Sequence, residues 1–236
     1  MIIVMKKNNV IMIVLIFALM LAIYSLNINA DMTASTTNND MQKTVILDPG
    51  HGGEDPGKVS NYSDLKEKDV NLIIALKVKV LLEKDNYKVI MTREEDKLEY
   101  SEGTTNIIEK RRQDLTRRKK MMDESGTTIV VSIHLNGFPE TQYFGAQTFY
   151  PPNSNESRKL ANSLQKAVRE MIDPANKRQP QLKKDQIIIL KDLKTPTAIL
   201  ECGFLSNADE EKKLATEEYR TKLAFAIMDG IKNYFK

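Results

Sequence analysis

The sequence predicts an α/β protein in which a mixed, mostly parallel β-sheet lies between layers of helices. Two observations indicate this class. Short runs rich in β-branched residues alternate along the chain with segments of helical length and periodicity, which is typical of sheets covered by helices. The strongest strand pattern, at residues 127–135, is a continuous run rich in β-branched residues, as expected for a strand that is covered on both faces.

The individual elements follow from the same patterns and from the residues that interrupt them. Pro49 and Gly50 end the first strand, and Asn86 closes the first helix. Strands are predicted at residues 43–48, 87–92, 127–135, 144–150, 186–190 and 197–202. Helices are predicted at residues 70–82, 104–123, 157–172 and 209–235. No internal repeat and no second folded domain is indicated.

Composition excludes several classes of protein. The chain has 236 residues, of which 41% are hydrophobic and 28% charged, so it can form a sizeable core and is not disordered throughout. Its formal net charge is only +3, which argues against a nucleic-acid partner held by bulk charge. The single cysteine excludes an intrachain disulfide framework and a cysteine-rich zinc cluster.

The first thirty residues differ from the rest of the chain. Lys6 and Lys7 precede an uncharged, mostly aliphatic run at residues 10–26, a pattern typical of an export signal. The segment is either cleaved after Ala30 or kept as a membrane anchor, since its length lies near the lower limit for a membrane-spanning helix. Both alternatives place the protein outside the cytoplasm. The predicted organisation is a leader at 1–30, a polar linker at 31–42 and one domain at 43–236.

Three ionisable residues fall at the ends of predicted strands. His51 follows the first strand in a glycine-rich loop, His134 ends the apolar run of the third, and Glu201 follows another apolar strand. A polar group in such a run costs free energy unless it is paired or bound. Ligands of open α/β sheets bind beyond the carboxyl ends of the strands, so these residues predict a functional site at that edge.

Two histidines and one carboxylate are enough protein ligands for a catalytic zinc ion, and a second carboxylate would then serve as the base. The spacing of the residues does not identify the third ligand. Glu67 is well placed at the start of a helix, but four other acids lie in the same region. The open candidates are Glu54, Asp55, Asp64, Glu67 and Asp69.

Four blocks occur in a fixed order along the chain: LDPGHGG at 47–53, EKDVNL at 67–72, SIHLN at 132–136 and LECGFLSN at 200–207. Thr92-Arg93 lies between the second and the third block. Together these blocks resemble the signatures of the zinc-dependent N-acetylmuramoyl-L-alanine amidases of the type-3 family. The resemblance extends over nearly the whole predicted domain.

The resemblance implies a sheet between helices similar to that of zinc exopeptidases. It also implies hydrolysis of the amide that joins N-acetylmuramic acid to the L-Ala of the peptidoglycan stem peptide. Position by position, His51, Glu67 and His134 match the ligands of one zinc ion, and Glu201 matches the catalytic glutamate. Asn136 matches a further motif position and is a candidate substrate-binding residue. Asp48 is a candidate hydrogen-bond partner that orients His51, or else it caps the Asp-Pro-Gly turn.

A compact domain behind a signal or anchor is most similar to the spore-cortex, germination-specific members of that family. This similarity implies a role in forming muramic-δ-lactam, in the space between forespore and mother cell. Peptidoglycan is then the partner, together with an accessory or regulatory protein that the sequence does not identify. The N-terminal segment would contact the membrane if it stays uncleaved, and no nucleic acid is expected.

Three other interpretations deserve comparison. The first is a zinc peptidase or carboxypeptidase acting within the stem peptide, and the second is a pseudoenzyme that binds peptidoglycan without cutting it. A Ser132–His134 nucleophile pair is disfavoured because no orienting acid is identifiable. The basic run at residues 110–120 is interpreted as a solvated helix face, with binding of an anionic polymer as the alternative.

Overall fold

The computed structural model describes residues 15–21, 42–124, 126, 128–152, 154–183 and 187–236. The chain divides into two compact units, Met1–Met41 and Gln42–Lys236. In the first unit, residues 15–21 are helical and exposed. The rest of the predicted leader, and the predicted linker up to residue 41, lie outside the described residues. Among the helices that are described, none combines the length and apolarity needed to cross a membrane.

The second unit contains one six-stranded sheet, which confirms the predicted α/β class. The strands are β1 (Thr44–Pro49), β2 (Lys88–Met91), β3 (Ile129–Asn136), β4 (Gln147–Tyr150), β5 (Gln181–Leu182) and β6 (Thr197–Phe204). Their spatial order is β2-β1-β3-β6-β4-β5. All neighbouring pairs are parallel except β4 and β6, so the sheet is mixed and mostly parallel.

Helices cover both faces of the sheet. They are α1 (Glu67–Lys84), α2 (Ile107–Glu124), α3 (Asn155–Met171), α4 (Ala208–Leu214) and α5 (Glu217–Tyr234). The larger core joins one face of the sheet to α1, α3 and α5. The smaller core joins the other face to α2, through residues such as Ile46, Val130 and Met122. The central strands β1, β3 and β6 are buried along most of their length, so their sequences are mostly apolar.

Two predicted elements differ from those observed. The strand predicted at residues 186–190 is wrong: Ile188–Leu190 form a single 3-10 turn, with Gln186 outside the described residues. Ile189 and Leu190 pack into the smaller core instead of pairing at a sheet edge, and periodicity cannot separate these two ways of burying a short apolar run. The strand that does pair at that edge is β5, which has only two residues.

The helix predicted at residues 209–235 is two helices. Thr216 separates them, and its hydroxyl accepts a hydrogen bond from the backbone N–H of Tyr219 at 3.3 Å. This is an N-cap, which satisfies one of the unpaired N–H groups at the start of a helix. Glu217 and Glu218 follow in the first turn of α5, where negative charge is favourable. The sequence Thr-Glu-Glu therefore starts a new helix.

Close packing between α3 and α5 depends on Gly230. A Cβ atom at this position would lie 2.9 Å from the Cα atom of Leu164, which belongs to the backbone of α3. Replacing glycine by alanine inside a helix normally stabilises a protein by up to about 1 kcal/mol. We expect Gly230→Ala to do the opposite and lower the free energy of unfolding by about 1–3 kcal/mol, because the helices must separate.

Urea unfolding followed by circular dichroism measures this difference. Lys222→Ala, at an exposed position of the same helix, is the matched control and should unfold close to wild type. A Gly230→Ala variant more stable than wild type would contradict the close contact of the two helices.

Candidate active site

The carboxyl ends of β1, β3 and β6 bring the predicted site residues to one edge of the sheet. His51 lies two residues after β1, and His134 lies in β3. Glu201 lies in β6 directly beside His134, as its partner in the parallel register. The register shifts just after His134, so the bulge lies next to the site.

His51, Glu67 and His134 form a possible metal site. One side-chain ligand atom from each residue lies within 4.8 Å of the other two. The Oε1 atom of Glu67 lies 3.2 Å from Nε2 of His51 and 3.0 Å from Nδ1 of His134. The structure thus brings together the three residues whose motif positions match zinc ligands, while the acids Glu54, Asp64 and Asp69 are not part of this cluster.

Glu67 is held by the loop that precedes its helix. It is the first residue of α1, and its Oε2 atom accepts a hydrogen bond of 2.8 Å from the backbone N–H of Lys58. Its Oε1 atom accepts one of 3.0 Å from the backbone N–H of Leu135. Burial opposes ionisation of this carboxyl, but its contacts with the two histidines outweigh burial and hold the pKa of Glu67 well below its usual range.

Two glycines, which have no side chain, make room for the side chains of His134 and Glu67. A Cβ atom on Gly50 would lie 2.1–2.6 Å from three ring atoms of His134, so the imidazole packs directly on the Gly50 backbone. Gly57 has a φ of +65°, and its Cβ would lie 2.6 Å from Oε2 of Glu67. Any side chain at either position would displace a residue of the possible metal site.

The residue that orients His51 is Asp55. Nδ1 of His51 lies 2.8 Å from Oδ2 of Asp55, which leaves Nε2 directed towards Glu67. Burial disfavours the protonated ring, but the contacts with Asp55 and Glu67 outweigh it and raise the pKa of His51 to about 9 in the absence of a cation. A carboxylate behind a histidine is the usual means of fixing the tautomer of a metal ligand.

Asp48 does not play the part predicted for it. It neither contacts His51 nor caps the Asp-Pro-Gly turn; its carboxylate accepts hydrogen bonds from Thr92 Oγ1 at 2.6 Å and Ser132 Oγ at 2.7 Å. It also pairs with Arg118 at 3.0 Å. Burial tends to raise the pKa of Asp48, but the Arg118 guanidinium and the two hydroxyl donors hold it below its usual value. The side chain of Asp48 is buried on the face of the sheet that α2 covers, where it meets Arg118.

Two buried arginines hold the loop that carries His51. Arg93 donates from Nε to the carbonyl of Pro49 at 2.9 Å and from Nη2 to the carbonyl of Gly50 at 3.0 Å. Arg118 donates to the carbonyl of Pro49 at 2.9 Å and to that of His51 at 2.8 Å. His51 has a φ of +64°, an unfavourable backbone conformation for a residue with a side chain, and these contacts fix it.

The basic run at residues 110–120 is therefore not simply a solvated face. Arg118 is 1% exposed and pairs with both Asp48 and Asp114. Arg111 lies beside Asp55 at the site. A signal for Arg118 was present in the sequence, because it shares a helix face with Leu115 and Met122, which pack into the smaller core.

Glu201 lies in a cleft that His51 and His134 also line. Burial is the main reason that the pKa of Glu201 is raised above its usual value. Its Oε2 atom is buried and has no hydrogen-bond partner among the residues that the structure describes. An oxygen in this position is suited to a hydrogen bond with a water or substrate molecule in the cleft.

Asn136 and Cys202 have structural contacts near the site. The side chain of Asn136 accepts a hydrogen bond of 2.9 Å from the backbone N–H of Gly137, and Asn136 does not line the cleft. Its predicted contact with substrate stays a prediction. Cys202 is fully buried in the larger core, and burial raises the pKa of its thiol.

Comparison with known proteins identifies the class to which this site belongs. The N-acetylmuramoyl-L-alanine amidase model of the type-3 family matches residues 45–233. The germination-specific N-acetylmuramoyl-L-alanine amidase of Bacillus subtilis strain 168 is 36% identical over 193 residues, covering 82% of this chain and 80% of the relative.

Similar solved structures are also N-acetylmuramoyl-L-alanine amidases. The CwlD amidase from Clostridioides difficile, in complex with the GerS lipoprotein, has 42% identity and a TM-score of 0.80, covering 82% of this chain and 98% of that one. An N-acetylmuramoyl-L-alanine amidase from Clostridium difficile 630 has 30% identity and a TM-score of 0.71, covering 82% and 97%. The chain belongs to the type-3 N-acetylmuramoyl-L-alanine amidase family, and it is a peptidoglycan amidase.

The buried pairing of Arg118 is expected to be essential for stability. Arg118→Met would leave Asp48 and Asp114 buried without their cation, and loss of one partner of a buried ion pair typically costs about 3–5 kcal/mol. We expect a loss of that order in the free energy of unfolding, measured by urea denaturation. The control is Arg112→Met on the same helix, whose side chain is 63% exposed and pairs only at the surface with Glu109. Similar stability of the two variants would contradict a structural role for the buried network.

Proposed function

We propose that this amidase cleaves the bond between N-acetylmuramic acid and L-Ala with water activated at a zinc site formed by His51, Glu67 and His134. The observation that carries the proposal is their geometry: three ligand atoms within 4.8 Å of one another, next to a buried glutamate with an unpartnered oxygen. Two imidazoles and one carboxylate fit a catalytic zinc ion, which leaves its fourth position open.

A zinc ion bound there would polarise the scissile carbonyl and lower the pKa of water towards 7. Glu201 then acts as the general base and acid: its carboxylate takes a proton from the attacking water and returns it to the nitrogen of L-Ala as the amide bond breaks. The raised pKa of Glu201 favours this exchange, because it brings the carboxyl closer to the pH at which the enzyme works. Asp55 keeps His51 in the tautomer that presents Nε2.

The biological setting that we propose is the spore cortex, where removal of stem peptides would precede formation of muramic-δ-lactam. The similarity to the germination-specific amidase of Bacillus subtilis supports this setting. Residues 1–30 would export the protein, as a signal or an anchor, into the space between forespore and mother cell. Asn136, at the end of β3, is a candidate contact for the substrate.

An accessory protein is part of the proposal. The CwlD amidase of Clostridioides difficile was solved in complex with a lipoprotein, and this chain is 42% identical to it. We infer that a lipoprotein attached to the same membrane surface is the kind of partner that would hold this amidase at the peptidoglycan.

The products of peptidoglycan digestion distinguish the amidase from its alternatives. The purified protein, loaded with zinc and incubated with peptidoglycan, should release free peptides that begin with L-Ala and leave muramic acid without peptide. Mass spectrometry of the soluble products measures both. Shortened peptides still attached to muramic acid would identify a peptidase instead. Absence of any cleavage by protein with bound zinc would indicate either a pseudoenzyme or a need for the accessory partner. Adding the partner distinguishes these two explanations.

Paired substitutions separate metal binding from proton transfer. Glu201→Gln should keep zinc at wild-type stoichiometry and lose about 10²- to 10⁴-fold in rate, the usual contribution of a general acid–base group. His134→Ala should lose both zinc and activity, because two ligands hold the ion poorly. Metal content is measured by atomic emission and activity by peptide release, with Arg112→Gln as the surface control. Stoichiometric zinc in His134→Ala, or an active Glu201→Gln, would contradict the assigned role of that residue.

A further inference from the structure

One wall of the active-site cleft is apolar and its rim is basic. The cleft has a volume of about 190 Å³ and opens beside His51, His134 and Glu201. The apolar wall comes from the smaller core and its surroundings: Leu98, Leu115, Phe149, Ile187, Ile189 and Ile199. This volume is below the range of about 300–1,000 Å³ that is typical of sites for whole drug-sized ligands. A cleft of this volume is suited to a small part of a substrate, such as one or two peptide residues.

Arg111 is the basic residue of the rim that lies nearest to His51. It is on α2, and its side chain is 46% exposed. Its Nε atom lies 3.1 Å from Oδ2 of Asp55, the same oxygen that lies 2.8 Å from Nδ1 of His51. The guanidinium is thus two polar contacts away from the possible metal ligand. A guanidinium has five N–H donors in a planar fork, and one carboxylate oxygen uses only part of that capacity.

Most of the other charged residues around the cleft are paired within the protein, whereas Arg111 can also contact a ligand. Asp48 and Asp114 are neutralised by Arg118, and Glu67 lies between the two histidines. Asp55 contacts His51 as well as Arg111, and Lys183 and Glu201 also face the cleft. The buried Arg118 cannot reach a ligand because its donors are used within the protein. Arg111 is the member of the α2 basic run that combines a place on the cleft with solvent exposure.

We propose that Arg111 is a specificity-determining residue that binds a carboxylate of the stem peptide, on the amine side of the scissile bond. This inference rests on the proposed function. The peptide that continues from L-Ala in peptidoglycan carries carboxylates, and an extended residue spans about 3.3–3.6 Å. A carboxylate on the residue that follows L-Ala lies about one extended residue beyond L-Ala. Arg111 lies on the same cleft as His51 and is joined to it through Asp55. The apolar wall would receive the methyl group of L-Ala.

A structural role for Arg111 as the partner of Asp55 is the rival explanation, and a pair of substrates separates the two. One substrate is an N-acetylmuramoyl-L-alanyl dipeptide whose second residue carries a free carboxylate, and the other is its neutral carboxamide. Full-length, zinc-loaded wild-type protein should hydrolyse the carboxylate form with a kcat/KM about fivefold higher, since the site is partly exposed and solvent weakens the ion pair. Most of the difference should lie in KM, because binding and not chemistry distinguishes the two substrates.

Arg111→Gln should remove the preference and give equal kcat/KM values for the two substrates, while Arg111→Lys should keep part of it. The matched control Arg112→Gln alters the neighbouring residue, which does not line the cleft, and should keep the full preference. Zinc content of each variant shows whether the substitution has disturbed the metal site.

The outcomes that would overturn the inference are distinct. Equal hydrolysis of both substrates by the wild type would reject the role of Arg111 and leave the amidase assignment intact. So would an Arg111→Gln variant that is slower on both substrates by the same factor, as a purely structural role predicts. Failure of the wild type to hydrolyse either substrate, when it also releases no peptide from peptidoglycan in the presence of the accessory partner, would reject the proposed function itself.

Discussion

The site depends on one constraint: the backbone after β1 must turn so that His51 faces Glu67 while its own φ is positive. A residue with a side chain adopts this conformation only when its surroundings enforce it. Arg93 and Arg118 provide that enforcement, because their buried guanidinium groups bind the carbonyls of Pro49, Gly50 and His51. The loop is therefore held by charged hydrogen bonds to its backbone, which are stronger than bonds between neutral groups.

Those arginines can be buried only because acids accompany them. Arg118 lies between Asp48 and Asp114, and Asp48 in turn accepts hydrogen bonds from Thr92 and Ser132. The network links β1 to β2, β3 and α2. Loss of one member of such a buried network destabilises the fold, whereas the complete network favours one conformation. The buried ion pairs of Arg118 thus position the loop that carries His51.

The site itself consists of groups whose environments differ sharply over a short distance. Glu67 receives backbone N–H groups and two imidazoles, so it stays ionised, whereas burial raises the pKa of Glu201. Two carboxyl groups with opposite shifts at one sheet edge are suited to different tasks, one as a ligand and one as a proton carrier. Arg111 lies at the exposed side of the same arrangement, where a substrate could reach it.

Local sequence was enough to predict the α/β class, most element positions and the three strands whose ends bring His51, His134 and Glu201 to the site. These features follow from local periodicity and from polar residues in apolar runs. The similarity of four blocks to a known family selected Glu67 from five acids as the third candidate metal ligand, which the spacing of the residues did not. The contact of Asp55 with His51, the pairing of Asp48 with Arg118 and the turn at residues 188–190 became apparent only in the folded chain. Each of those outcomes depends on contacts between distant segments, and local sequence does not encode which buried partner a charge or an apolar run will meet.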